Sequence, residues 1–183
     1  MSKPFTFEYG GQAITELHGV NNVGSAVGEA GNSQRQLGFE LQAGTFSSLR
    51  PPGRGTYYYV IGTGLNNLND AVGFVSKYDS NQEGFVYRNG RYTLIDYPGA
   101  SSTGVYGIND DEILVGYYSY VKSAFYGFAA QKGKFLSLTY PAATYTICHG
   151  INKAGTIVGE AIVGSTTLGF ITSPIKAEQF DSK

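Results

Sequence analysis

Gly107-Ile108-Asn109-Asp110 opens a stretch that runs through Val115-Gly116 and Gly127-Phe128 to a segment from Phe135 to Pro141. Each of these landmarks returns at a fixed interval. The Gly-aliphatic-Asn triplet stands also at Gly19-Val20-Asn21, Gly64-Leu65-Asn66 and Gly150-Ile151-Asn152. Val-Gly follows eight residues later each time, at Val27-Gly28, Val72-Gly73, Val115-Gly116 and Val158-Gly159. Both series step by 45, 43 and 43 residues. Gly-Phe comes next, at Gly38-Phe39, Gly84-Phe85, Gly127-Phe128 and Gly169-Phe170, and a proline-ended segment recurs over 46–51 and 92–98. A period of this length marks one supersecondary unit stacked on copies of itself.

Gly, Asn, Asp and Pro clusters divide each unit into short β-prone runs. In the second unit strands are expected over 71–76, 83–88, 91–97 and about 103–106. A single sheet of four short strands cannot bury both its faces, so the pattern predicts an all-β, four-bladed β-propeller. A closed β-barrel is the alternative. The whole chain, 1–183, is expected to be one domain, with repeats starting near 19, 64, 107 and 150. The fourth repeat stops after its second strand, near Phe170-Ile171-Thr172. Phe5-Thr6-Phe7-Glu8-Tyr9 resembles Thr93-Leu94-Ile95-Asp96-Tyr97, and Tyr9, Tyr97 and Tyr140 each lie ten residues before a Gly-aliphatic-Asn triplet. Residues 4–17 are therefore expected to complete the last blade and close the ring, which removes its open edges.

These motifs resemble the HAF repeat family, whose units carry a Gly-Ile-Asn turn, an Ile-Val-Gly strand, a Gly-Phe strand and a Phe-x-x-x-Asp-Tyr-Pro-Gly segment. Ile95-Asp96-Tyr97-Pro98-Gly99 and Gly107-Ile108-Asn109-Asp110 carry the likeness best. The resemblance spans nearly the whole chain. It implies a propeller-like fold and assigns no catalytic residue.

Composition narrows the function classes. Charged residues make up 15% against a usual quarter, and the net charge is −1. No basic face is available for nucleic acid or an anionic membrane, so neither is an expected partner. Cys148 is the only cysteine, which precludes an intramolecular disulfide and suits a buried structural thiol. No apolar run reaches the length of a membrane span. The N-terminal residues lack the pattern of a secretion signal, so a cytoplasmic location is expected, or a secreted one if a leader has been removed. Walker loop, dinucleotide fingerprint, nucleophile elbow and His-Glu-x-x-His are all missing. With two histidines and one cysteine no metal site is expected, and no cofactor.

Residues common to all copies most simply serve the fold, so function is sought where copies depart. Asn21, Asn66, Asn109 and Asn152 are expected to bond local backbone in turns, or to form a ring of amides at one mouth. The position after Val-Gly differs: Glu29 and Glu160 in repeats one and four, Phe74 and Tyr117 in repeats two and three. The residue before the triplet splits the same way, His18 and His149 against Thr63 and Tyr106. This predicts a small-molecule site near the axis, with Glu29, Glu160, His18 and His149 as catalytic acid/base groups. Phe74, Tyr117 and Tyr118 would form the substrate-binding aromatic wall, with Arg54 on a loop above it. Paired carboxylates and imidazoles suit proton transfer near neutral pH, so a cofactor-independent isomerase, cyclase or lyase is expected. The rival readings are a small-molecule or carbohydrate-binding propeller without catalysis, and a structural or partner-binding module whose channel is filled. For the residues themselves the alternative is that the glutamates are solvated and the histidines cap turns.

Overall fold

The computed structural model describes residues 14–51, 59–76, 81–121 and 123–180. Within them the regular structure is β throughout, apart from a 3₁₀ turn at Ala177–Phe180. The first antiparallel meander is β1 (Ile14–Val20), β2 (Ala26–Asn32), β3 (Arg35–Gln42) and β4 (Thr45–Ser48). The second is β5 (Tyr59–Leu65), β6 (Ala71–Ser76), β7 (Gln82–Arg88) and β8 (Arg91–Ile95). The third is β9 (Ser102–Ile108), β10 (Leu114–Val121), β11 (Ala124–Gln131) and β12 (Lys134–Leu138). The fourth has three described strands, β13 (Tyr145–Ile151), β14 (Ile157–Val163) and β15 (Thr166–Ile171). A parallel bridge between Gln36 and Tyr59 joins the first two meanders, and one between Phe125 and Tyr145 joins the last two. The protein is thus all-β, in two curled sheets, one of them bent into a half-barrel. No helix among the described residues is long and apolar enough to cross a membrane.

The repeat is offset by one strand from the boundaries expected at 19, 64, 107 and 150. The segment around 103–106, expected to end the second repeat, lies in β9 and pairs with β10 of the third. The Gly-aliphatic-Asn turn causes this. Its backbone closes a tight loop, Asn21 N–H to Ser25 C=O and Asn109 N–H to Ile113 C=O, so the strands on either side of it must pair. For the same reason Ile14–Leu17 run in β1 and pair with β2 of the first repeat. The rest of the 4–17 segment lies outside the described residues.

The turn role expected of the recurring asparagines is filled, and the amide nitrogens of three of them add a row of links from one repeat to the next, not a closed ring. Asn109 Oδ1 accepts the N–H groups of Asp111 (3.1 Å) and Ile113 (2.9 Å), holding its own turn. Its Nδ2 donates to the Asn152 carbonyl at 3.2 Å, in the next repeat. Asn66 does the same to Asn109 (3.2 Å) and Asn21 to Asn66 (3.0 Å). These links hold β1, β5, β9 and β13 side by side in chain order, and neighbouring first strands pack together.

Val-Gly has a steric cause. A Cβ at Gly28, Gly73, Gly116 or Gly159 would come within 1.8, 1.9, 2.0 or 2.1 Å of a first-strand carbonyl oxygen. Three valines of the same motif, Val27, Val72 and Val115, fill the seams between consecutive meanders, while Val158 of the fourth is exposed. Val27, Leu65, Val75 and Phe85 pack the first seam; Val72, Val105, Tyr118 and Phe128 the second; Val115, Cys148 and Ile157 the third. A fourth cluster of Ala26, Ala30, Phe39 and Leu41 includes alternate β2 positions, on the face opposite Val27.

Candidate functional site

In every meander the register of the first strand jumps by one residue against the second. Leu17 pairs with Gly28 but Gly19 with Val27, so His18 is the extra residue of a β-bulge. Thr63, Tyr106 and His149 occupy the same bulge in the other three. A bulge re-aims its side chain out of the ladder. Here all four face one cavity of about 680 Å³.

His18 and Glu29 meet on one wall of that cavity. The imidazole Nε2–H donates to Glu29 Oε2 at 2.5 Å, and the Glu29 carboxylate is buried while the histidine is part-exposed. The hydrogen bond to Glu29 raises the His18 pKa above the usual histidine range, against the opposing effect of burial, with further help from the charges of Glu29 and Glu16. His149 reaches the same cavity from β13. Behind it stands Glu160, with Oε1 3.6 Å from Nε2, in a more solvated setting. His18 with Glu29 and His149 with Glu160 thus stand within ion-pair distance, and both histidines and Glu29 line one cavity, which Glu160 does not.

The aromatic groups divide. Phe74 lines the cavity and packs on Tyr106 at 6.0 Å between ring centroids. Tyr106 continues to His149, edge to face at 5.5 Å, and to Tyr117 at 5.9 Å. Burial raises the pKa of Tyr106, assisted by Tyr145 and the Glu160 charge. Tyr117 stands one layer back, its hydroxyl donating to Gln82 Oε1 on the cavity wall, and burial raises its pKa too. Tyr118 does not join them. It points to the other face of β10 and stacks on Tyr97, centroids 3.5 Å apart, inside the second seam. Strand alternation requires that two adjacent residues part in this way. Cys148 is parted from His149 likewise, and burial in the third seam pushes its thiol up to about 12. Arg54 lies outside the described residues.

Sequence comparison passed over several wall residues. Gln36, Tyr59 and Ile61 come from strands of the first sheet, and Gln82 is held by Tyr117 across the junction of the two sheets. It also passed over Glu16, which lies directly across the ladder from Glu29 and places a carboxylate oxygen 3.9 Å from His18 Nε2. The signal was present: Glu16 occupies the position held by Ile61, Gly104 and Ile147 in the other repeats. The acidic side chain of the Asn66 turn is engaged within the fold. Asp70 accepts from Asn66 at 3.0 Å and from Arg88 at 2.8 Å.

Against known proteins, the chain matches no family model and no curated sequence.

Proposed function

We propose that the cavity is a small-molecule site working by acid/base catalysis, within a four-bladed propeller of HAF-like repeats. The observation that carries the chemistry is the 2.5 Å contact between a buried glutamate and an imidazole on the wall of an aromatic-lined cavity, with a second histidine facing the same space. A buried carboxylate holds its imidazole in a fixed orientation and tautomer, the arrangement used by general bases. Glu29–His18 and Glu160–His149 then serve as two proton-transfer pairs, with the substrate ring or chain laid on Phe74 and Tyr106. The reaction class is an isomerisation, cyclisation or elimination that moves one proton and needs no redox partner. Supporting the propeller are the four bulge positions around one space and the seam between each consecutive pair of meanders.

A fragment screen by protein-observed NMR tests the location. Shift changes should centre on Thr63, Phe74, Tyr106 and His149, and hits with acidic C–H groups should exchange deuterium from solvent. Fragments that bind without exchange would favour the non-catalytic binding module. Hits confined to other surfaces would remove the cavity from consideration.

A further inference from the structure

Acid/base chemistry uses two of the three titratable side chains gathered on β1 and β2; Glu16 has no part in it. We propose that Glu16, His18 and Glu29 form a binding site for a divalent metal ion with oxygen and nitrogen preference, such as Zn²⁺, Mn²⁺ or Co²⁺. The inference goes beyond the proton-transfer reading and does not depend on it.

One potential ligand atom from each residue lies within 4.8 Å of the other two. The individual separations are 2.5 Å for His18 Nε2 to Glu29 Oε2 and 3.9 Å for His18 Nε2 to Glu16 Oε2. Donors bound to one ion at about 2.0–2.2 Å can stand no more than about 4.4 Å apart. Neighbouring donors on one ion also stand no closer than about 2.9 Å, so the His18–Glu29 contact opens slightly as the ion replaces the proton between them, while a small turn of the exposed Glu16 side chain brings the third ligand within reach. Three protein ligands with the remaining positions open is the usual plan of a reactive metal centre. The open positions here would face the cavity.

Charge supplies an independent reason. Glu16 and Glu29 are opposite partners in the ladder, and Glu29 is 5% exposed. Like charges directly across a ladder destabilise it, and burial of one makes this worse. His18 is the single cationic candidate within this group and can offset one of the two carboxylates. A dication neutralises both. The other repeats act as internal controls. Ile61 with Phe74 and Gly104 with Tyr117 carry no carboxylate or imidazole at these two positions, and the Tyr117 hydroxyl is taken up by Gln82, whereas repeat four keeps His149 and Glu160 but has Ile147 where Glu16 stands. Among the described residues one repeat alone assembles three such ligands. While a metal holds the Nε2 lone pair His18 keeps only its Nδ1 proton and cannot take up a second, so metal binding and proton transfer exclude each other at this end of the cavity.

The test titrates Co²⁺ and Zn²⁺ into chelator-stripped full-length protein, followed by visible d–d absorption and by calorimetry. The expected result is one equivalent bound. Glu16→Gln should weaken binding by at least on the order of 10-fold, since even the outer partners of metal ligands matter on that scale. Glu16 is exposed, so this variant keeps its fold; His18→Gln should abolish binding, and Glu160→Gln should leave it unchanged. No saturable binding, binding indifferent to Glu16→Gln, or binding lost in Glu160→Gln would each overturn the proposal. None of these readouts depends on turnover, so they stand apart from the acid/base reading.

Discussion

Repeats one and four share a scaffold with repeats two and three, yet the two pairs fill the same cavity positions with different chemistry. In the middle repeats Phe74, Tyr106 and Tyr117 pack ring on ring, and Thr63 spends its hydroxyl on the backbone carbonyls of Val72 and Val105. The outer repeats place His18 against Glu29 and His149 near Glu160 at equivalent bulges and ladder positions. Since the aromatic version forms the same bulge and ladder, folding does not require the polar one. Burying a carboxylate costs free energy that an apolar residue there would not. The difference teaches where to look: invariant positions carry the architecture, and divergent ones carry whatever chemistry the protein performs.

The invariant Gly-Phe position offers the largest expected effect. Phe128 is fully buried in the second seam, whereas Phe170 is only partly covered in the third. Phe128→Ala should cost about 3–5 kcal/mol, as truncation of a buried ring usually does. Phe170→Ala should cost clearly less. Denaturant unfolding of the two variants measures both; equal losses would mean that the repeats are more alike in packing than their exposure implies.

A smaller effect is expected at Glu40, where repeat one departs again. Glu40 stands opposite Val27 in the ladder, in the place taken by Val86, Ala129 and Ile171 elsewhere. It is buried, held by Gln42 Nε2 at 2.5 Å, and burial raises its pKa above the usual carboxylate range. A carboxyl that holds its proton more tightly when folded loses stability as pH rises from its unfolded pKa through its folded one. Glu40→Gln should therefore raise the melting temperature by a few degrees at neutral pH, and the advantage should disappear below the ordinary glutamate range. A constant difference across pH would show that the charge is not the cause.

Much of this architecture was legible in the sequence because the repeat is local. The segments expected at 71–76, 83–88 and 91–97 correspond to Ala71–Ser76, Gln82–Arg88 and Arg91–Ile95. Pairing was harder to read, since a turn motif marks where strands meet but not which belong to one meander. The meander boundaries therefore fall one strand before the triplets that mark the period. Glu16 breaks the four-fold pattern as His18 does, standing three residues before the triplet where the other repeats carry Ile61, Gly104 and Ile147; what the sequence does not report is its closeness to Glu29, which follows from a hairpin register with a bulge in it. Glu29, His18 and His149 could be found because they break a four-fold pattern. Tyr118 illustrates the converse, an aromatic residue next to the right position whose strand parity sends it into a seam.

Glu29→Gln tests the central claim most directly, with thermal melting and solvent-deuterium exchange of a cavity-bound fragment measured on the same sample. If divergent positions carry chemistry and not architecture, the variant should stay folded and melt within a few degrees of the unmodified protein, because the amide keeps the carboxylate's shape and the part-exposed His18 can shed its proton when its partner's charge is gone. Its exchange rate should fall by about 10²–10⁴-fold, the usual contribution of a general acid or base. A variant that unfolds, or one that exchanges deuterium as fast as the unmodified protein, would contradict the account.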